Sequence, residues 1–195
     1  MLFRSESALD LFRQIGDLPG QAHTHLRLGW LFDLQGRHDE ALAQAQQALN
    51  LFEATGQLPG QASALNNVGW CYAQAGRFAE SLSYCRKALA LQRALGNRRG
   101  EASALDSLGY AQHRTGQHDE AVANYIRALD LRRELGGRCG QAVALSHAGD
   151  AHQAAGRHQA ADSSWRQALA ILDDLHHADA AKVRAKLRDL EPLLA

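Results

Sequence analysis

Apolar residues recur along this chain at intervals of three and four, the spacing of one helical face. Between residues 101 and 140 the set Ala102, Leu105, Leu108, Gly109 and Gln112 predicts a first helix that ends at Gly116, where glycine can take the left-handed conformation that closes a helix. Gln117-His118-Asp119-Glu120 then opens a second helix with acidic residues near its positive end. Ala121, Tyr125, Ala128, Leu129 and Leu131 supply the apolar side of that helix. Gly136 ends it, and a short loop is expected to carry the chain to Gly140. No segment alternates apolar and polar residues with the period of a half-buried strand, so the chain reads as all-α.

The same pattern is written four times. Glycines fall into columns spaced by 40 residues: Gly16/Gly56/Gly96/Gly136, Gly20/Gly60/Gly100/Gly140, Gly29/Gly69/Gly109/Gly149 and Gly36/Gly76/Gly116/Gly156. Ala22/Ala62/Ala102/Ala142 and Leu49/Leu89/Leu129/Leu169 keep the same register. Repeats are therefore expected at 21–60, 61–100, 101–140 and 141–180. Pro19 and Pro59 stand just ahead of first helices, where a missing N–H costs little. The glycines at 29, 69, 109 and 149 fall inside helices, at a cost of about 1 kcal/mol each relative to alanine, and a close helix–helix approach is the expected compensation.

These columns resemble the tetratricopeptide repeat, which pairs a Leu-Gly with a later aromatic, then a small residue, a bulky one and an alanine. Leu28-Gly29 with Phe32, Ala41 and Ala48 fits, as do Val68-Gly69 with Tyr72, Ser81 and Ala88, and Leu108-Gly109 with Ala121, Tyr125 and Ala128; Ala148-Gly149 with Ala161, Trp165 and Ala168 is a weaker copy. The family's tryptophan is replaced by His25, Leu65, Leu105 and Leu145, and its closing proline is absent. The 40-residue variant is similar to repeats of kinesin light chains, Pins-type adaptors and actinobacterial antibiotic regulatory proteins. The resemblance implies a right-handed α-solenoid of stacked helix-turn-helix repeats serving as a non-catalytic interaction module, in the setting of a larger bacterial regulator.

The two ends depart from the repeat. Residues 1–20 match the second helix of a repeat that has lost its first, since Ala8, Leu9 and Gly16 fall in the Ala48, Leu49 and Gly56 columns. Leu2 and Phe3 are then expected to be partly uncovered, either because the chain is cut from a longer protein or because this end pairs with another chain. Residues 181–195 carry Val183, Leu187 and Leu190 on one stripe, with Lys182, Arg184, Lys186 and Arg188 elsewhere around the helix, the pattern of a polar cap.

Charge and composition narrow the chemistry. Twenty-one basic against 21 acidic side chains give no net charge, so the field that sequence-independent nucleic-acid or anionic-membrane binding needs is missing. Apolar runs are too short to span a bilayer. Cys71, Cys85 and Cys139 are odd in number and lack C-x-x-C spacing, which points to a reducing, cytoplasmic setting with the first two as buried apolar groups. No phosphate loop, nucleophile elbow, zinc helix or calcium loop is present. His38, His118 and His158 share a column with Phe78, a packing position rather than a metal site. No catalytic residue, metal site or cofactor is therefore expected. Arg93, Arg133, Arg98 and Arg138 form a basic ladder that reads as a solvated, partly paired edge.

Opposite the buried face of the first helix, 100° per residue places Ser103, Asp106, Tyr110, His113 and Arg114 on one stripe. Its copies include His23, Leu26, Trp30, Asp33 and Leu34; Ser63, Asn66, Trp70, Ala73 and Gln74; and Val143, Ser146, Asp150, Gln153 and Ala154. In tetratricopeptide proteins the corresponding stripe lines a concave groove, and the resemblance implies that a protein or peptide segment binds there. Trp30, Trp70 and Tyr110 fall one after another along it, as anchors for a partner or, alternatively, as rings packed on neighbouring first helices. Arg27, Asn66, Asn67, Asp106, His113 and Arg114 would add polar contacts. The set lacks the lysines that related repeats use to hold a C-terminal carboxylate. Two further readings are an oligomerisation scaffold that self-associates through Leu2 and Phe3, and a small-molecule groove.

Overall fold

The computed structural model describes the backbone of residues 2–194 and the side chains of residues 7–194. Among the described residues there are ten α-helices and no strand: α1 (Leu2–Gln14), α2 (Leu18–Leu34), α3 (His38–Ala54), α4 (Leu58–Gln74), α5 (Phe78–Ala94), α6 (Arg98–Arg114), α7 (His118–Glu134), α8 (Arg138–Ala154), α9 (His158–Asp174) and α10 (Ala180–Leu190), followed by a 3-10 turn at Glu191–Leu193. The chain forms two compact units, residues 1–107 and 108–195, with the division inside α6. In the first, α1 packs on α2, each helix from α2 to α4 packs on the next, and α2 also touches α4. In the second, α7 packs on α8, α8 on α9 and α9 on α10. The fold is an all-α solenoid of helix-turn-helix repeats, as the periodicity predicts. The side chains of Leu2 and Phe3, proposed to mediate self-association, lie outside the described residues.

The first helices begin earlier than the glycine pattern suggests. α2, α4, α6 and α8 start at residues 18, 58, 98 and 138, so Pro19 and Pro59 are inside the first turn and Gly60 and Gly140 are helical rather than part of a loop. The reason is the economy of the turn. Gly56 at φ +65° reverses the chain in one step, Leu58 N–H donates to the Gly56 carbonyl at 3.1 Å, and Gln61 N–H already donates back to Gln57 at 2.9 Å. Asp17 and Asn97 cap two of these starts, accepting from Gly20 and Gly100 N–H at 2.9 and 3.1 Å. Glycine is needed in the first turn because a side chain of the preceding second helix lies against it: an added Cβ would come within 2.3 Å of Phe52 at Gly60, 2.2 Å of Gln92 at Gly100 and 2.8 Å of Arg132 at Gly140.

The mid-helix glycines meet the expected close approach. A Cβ at Gly69 would lie 2.6 Å from Cys85 Sγ, at Gly109 2.9 Å from the Tyr125 ring, and at Gly149 2.4 Å from the Trp165 indole. Tyr125 and Trp165 are completely enclosed as a result. Cys71 and Cys85 are buried, and burial pushes both thiols up to about 12; Cys139 is exposed.

The last repeat is sealed by α10. Val183, Leu187 and Leu190 bury themselves with Trp165, Leu172 and Ala142. On the same helix Lys186 Nζ donates to both carboxylate oxygens of Asp150, at 2.6 and 2.8 Å, and lies 5.7 Å from the Trp165 ring centroid.

Candidate interaction surface

In the first unit α2 carries the most open part of the proposed stripe. Trp30 is 58% exposed and Leu34, one turn on, 65%. Leu26 is half-buried between them and His23. His23 and Arg27 are exposed, and the His23 imidazole packs edge-on against Phe52 at 5.0 Å. Such a contiguous apolar strip with polar neighbours is unusual unless something covers it.

Trp70 on α4 takes the other of its two expected roles. Its indole N–H donates to Asp33 Oδ2 at 3.0 Å, which ties α4 to the neighbouring first helix α2. Asp33 Oδ1 in turn lies 3.2 Å from His38 Nδ1 at the start of α3. The column of Asp33 thus turns toward the second helix of its own repeat: Ala73, also expected on the open stripe, is buried, and the His113 ring lies tilted beside that of His118 at 5.3 Å. The helical wheel misassigns this column because it lies at the edge of the stripe, where α3, α5 or α7 closes over it.

Asn66, Asn67 and Gln74 are half-buried on α4, and Asp106 is half-buried on α6. Two cavities open beside them. One, of about 650 Å³, is lined by His23, Leu26, Pro59, Ser63, Leu95 and Asn97 among others. The other, of about 280 Å³, brings Asn66 and Asn67 together with Gln92, Asn97, Arg99 and Gly100. Gln92, Asn97 and Arg99 were missed by the stripe argument because they come from α5, the following turn and the first turn of α6. The available signal was compositional: Gln92 breaks a column that otherwise begins Phe12, Phe52.

In the second unit the polar residues are largely engaged with one another. Tyr110 Oη accepts from Arg114 at 2.9 Å and its ring lies 6.3 Å from His147. Burial, with the His118 imidazole close by, holds the His113 imidazole below its ordinary pKa. Asp150 accepts from Trp165 Nε1 at 3.0 Å as well as from Lys186, so its carboxylate fastens the cap. Beside it a cavity of about 220 Å³ is bounded by Cys139, Ser146, His147, His177, Lys182 and Lys186. Among the described residues no three His, Cys, Asp or Glu side chains gather as a metal site would require, and no helix is long and apolar enough to cross a membrane.

The basic ladder is partly paired, as expected of a solvated edge. Arg93 bonds Glu101 at 2.8 Å, Arg133 approaches Asp130 at 3.3 Å, Arg138 pairs with Asp174, and Arg132 donates to the Gly140 carbonyl at 3.0 Å.

The chain with these hairpins, glycine notches and glycine turns matches the family model of the tetratricopeptide repeat over residues 4–54, 60–134 and 102–174. The chain belongs to the tetratricopeptide repeat family. It is thus a repeat module of a protein-interaction type. No curated protein matches it in sequence. Among solved structures it is similar to BtubC (BKLC) from P. vanneervenii, with 22% identity and a TM-score of 0.68 over 86% of this chain and 78% of that one. A Rap protein complexed with competence and sporulation factor superposes with a TM-score of 0.80 at 17% identity, over 93% of this chain and 52% of that one. A Podosopora anserina putative kinesin light chain with nearly identical TPR-like repeats gives 0.67 at 16% identity, over 90% and 92%. This tetratricopeptide repeat chain therefore spans about half the length of the Rap protein.

Proposed function

We propose that this tetratricopeptide repeat chain is a non-catalytic module that captures a protein or peptide segment along the first-helix stripe, as the sensor or partner-binding region of a larger bacterial, cytoplasmic regulator. The observation that carries the reading is the Trp30–Leu34 strip on α2, open to solvent and running toward a cavity that His23 and Leu26 line. A flat indole with few internal contacts can bury a large apolar area on a partner at little entropic cost. The regulator setting is supported by the structural likeness to a Rap protein solved with competence and sporulation factor. Trp70 then shapes the surface through Asp33, and Trp30 is the primary anchor.

The test is selection of binding peptides from a displayed random library, followed by titration of the best binder against Trp30→Ala. Helicity should be unchanged and affinity should fall at least tenfold. Equal affinity would remove the strip from the binding site. A scaffold that self-associates has its own supporting observation, the exposure of Leu11 on α1 and of Ile15 in the turn after it. Light scattering tests it: a mass that stays monomeric over the micromolar range, and that Leu11→Asp leaves unchanged, would exclude that reading.

A further inference from the structure

The small polar cavity of the first unit has an unusual wall. Gln92 is only 2% exposed, and its Oε1 is buried without a hydrogen-bond partner. Asn66 Oδ1, on the same cavity, is likewise buried and unpartnered. The column of Gln92 holds Phe12, Phe52, Arg132 and Leu172 in other repeats, so an apolar residue can fill this packing position and would leave nothing unsatisfied, while Arg132 meets the Gly140 carbonyl. A glutamine there lowers stability unless something meets its amide. The amide is also firmly seated: its atoms would lie 2.2 Å from a Cβ added at Gly100, and Gly100 is itself held by its N–H bond to Asn97.

The lining decides what could meet it. Asn66, Asn67, Gln92 and Asn97 contribute carboxamides, Arg99 a cation, and none of the lining residues is acidic. A carboxylate ligand would suit Arg99 but set its oxygens against the unmet carbonyls of Gln92 and Asn66. An ammonium would suit those carbonyls but add a second positive charge beside Arg99. A primary carboxamide offers two N–H donors and a carbonyl acceptor on one planar group. It can pair reciprocally with the Gln92 amide, its N–H meeting Oε1 and its carbonyl meeting the Gln92 N–H. A backbone peptide group cannot, because its trans geometry puts N–H and C=O on opposite edges.

We infer that this cavity, walled by Gln92, Asn66, Asn67, Asn97 and Arg99, is a subsite for a primary carboxamide, the side chain of a glutamine or asparagine in the bound segment. The inference rests on the proposed function for the peptide that carries the carboxamide, but the cavity can be examined without that peptide.

The experiment is a nuclear magnetic resonance titration of the whole chain with N-acetyl-glutamine methylamide, followed on the side-chain amide signals of Asn66, Asn67 and Gln92 and the Gly100 N–H. The glutamate and methionine analogues, which share its backbone amides, are the controls. Saturable shifts of these signals are expected with the glutamine compound, at an affinity at least tenfold above either control, and Gln92→Leu should abolish them. Shifts that do not saturate, that are equal for all three compounds or that survive in Gln92→Leu would mean that the cavity holds only water, and would overturn the inference. If Gln92→Leu fails to fold, Asn66→Ala serves in its place with the same criterion of at least tenfold weaker binding. Trp30→Ala should leave the titration unchanged. Loss of peptide capture in that variant with these shifts intact, or the reverse, separates failure of the proposed function from failure of the subsite.

Discussion

Replacing Gly149 by alanine separates packing from helix propensity within one residue. In an exposed helix this change stabilises by about 1 kcal/mol, because glycine pays more backbone entropy. Here the new methyl would be placed 2.4 Å from Trp165 Cδ1 and Nε1, more than 1 Å inside an ordinary contact. The indole cannot retreat freely. It is wholly enclosed, its N–H is shared between the Ser146 carbonyl at 3.1 Å and Asp150 at 3.0 Å, and Val183 and Leu187 of the cap belong to the same core. Overpacking of this kind costs about 1–3 kcal/mol, and moving the ring weakens hydrogen bonds worth about 1 kcal/mol. The balance is a net loss of about 2 kcal/mol, or about 4–8 °C in Tm for a chain of this size. Urea unfolding followed by far-ultraviolet circular dichroism reads it. Trp165→Leu, which removes the obstructing ring, should make the second change at Gly149 favourable, a coupling that a double-mutant cycle isolates. Stabilisation by Gly149→Ala alone would refute the claim that the glycine column exists to admit bulky residues of the second helix.

Three other outcomes are expected. Asp33→Ala should break the bond from the Trp70 indole N–H and so move its resonance; an unmoved signal would mean that the 3.0 Å bond does not persist in solution. Ellman's reagent at pH 8 should titrate one thiol in the native chain, Cys139, and three after denaturation, since Cys71 and Cys85 are buried with thiols raised to about 12; two or more fast thiols would contradict the core described. His113 and His152 are both held below the ordinary imidazole pKa, chiefly by burial. The unfolded chain therefore binds more protons as pH falls through the ordinary value near 6.5, and stability declines in that window until the native imidazoles also protonate. Changing both histidines to glutamine should flatten the fall in urea midpoint between pH 7.5 and 5.5.

Local features of this protein were legible without coordinates. Helix positions, the left-handed glycine turns, the buried columns and the polar cap all follow from residues within four positions of one another, repeated every 40. Helical periodicity and glycine backbone freedom act at that range, so the local order of residues settles them. The starts of the first helices were missed by three residues, because whether a glycine ends one helix or admits a side chain in the first turn of the next depends on what Phe52, Gln92 or Arg132 does from across the turn.

Side-chain partnership was decided only in three dimensions. Trp30 and Trp70 occupy one column, yet Trp30 is open while Trp70 is bonded to Asp33, 37 residues away. Asp150 looked like another member of the binding stripe until Lys186, 36 residues on, claimed its carboxylate for the cap. Gln92 stands in one column with Phe12 and Phe52, and only burial shows that its Oε1 is left without a partner beside a cavity. In each case the sequence specifies what a residue can do, and the packing of distant helices determines whether a partner is already within reach. That partner is set by contacts across tens of residues, which no local pattern encodes.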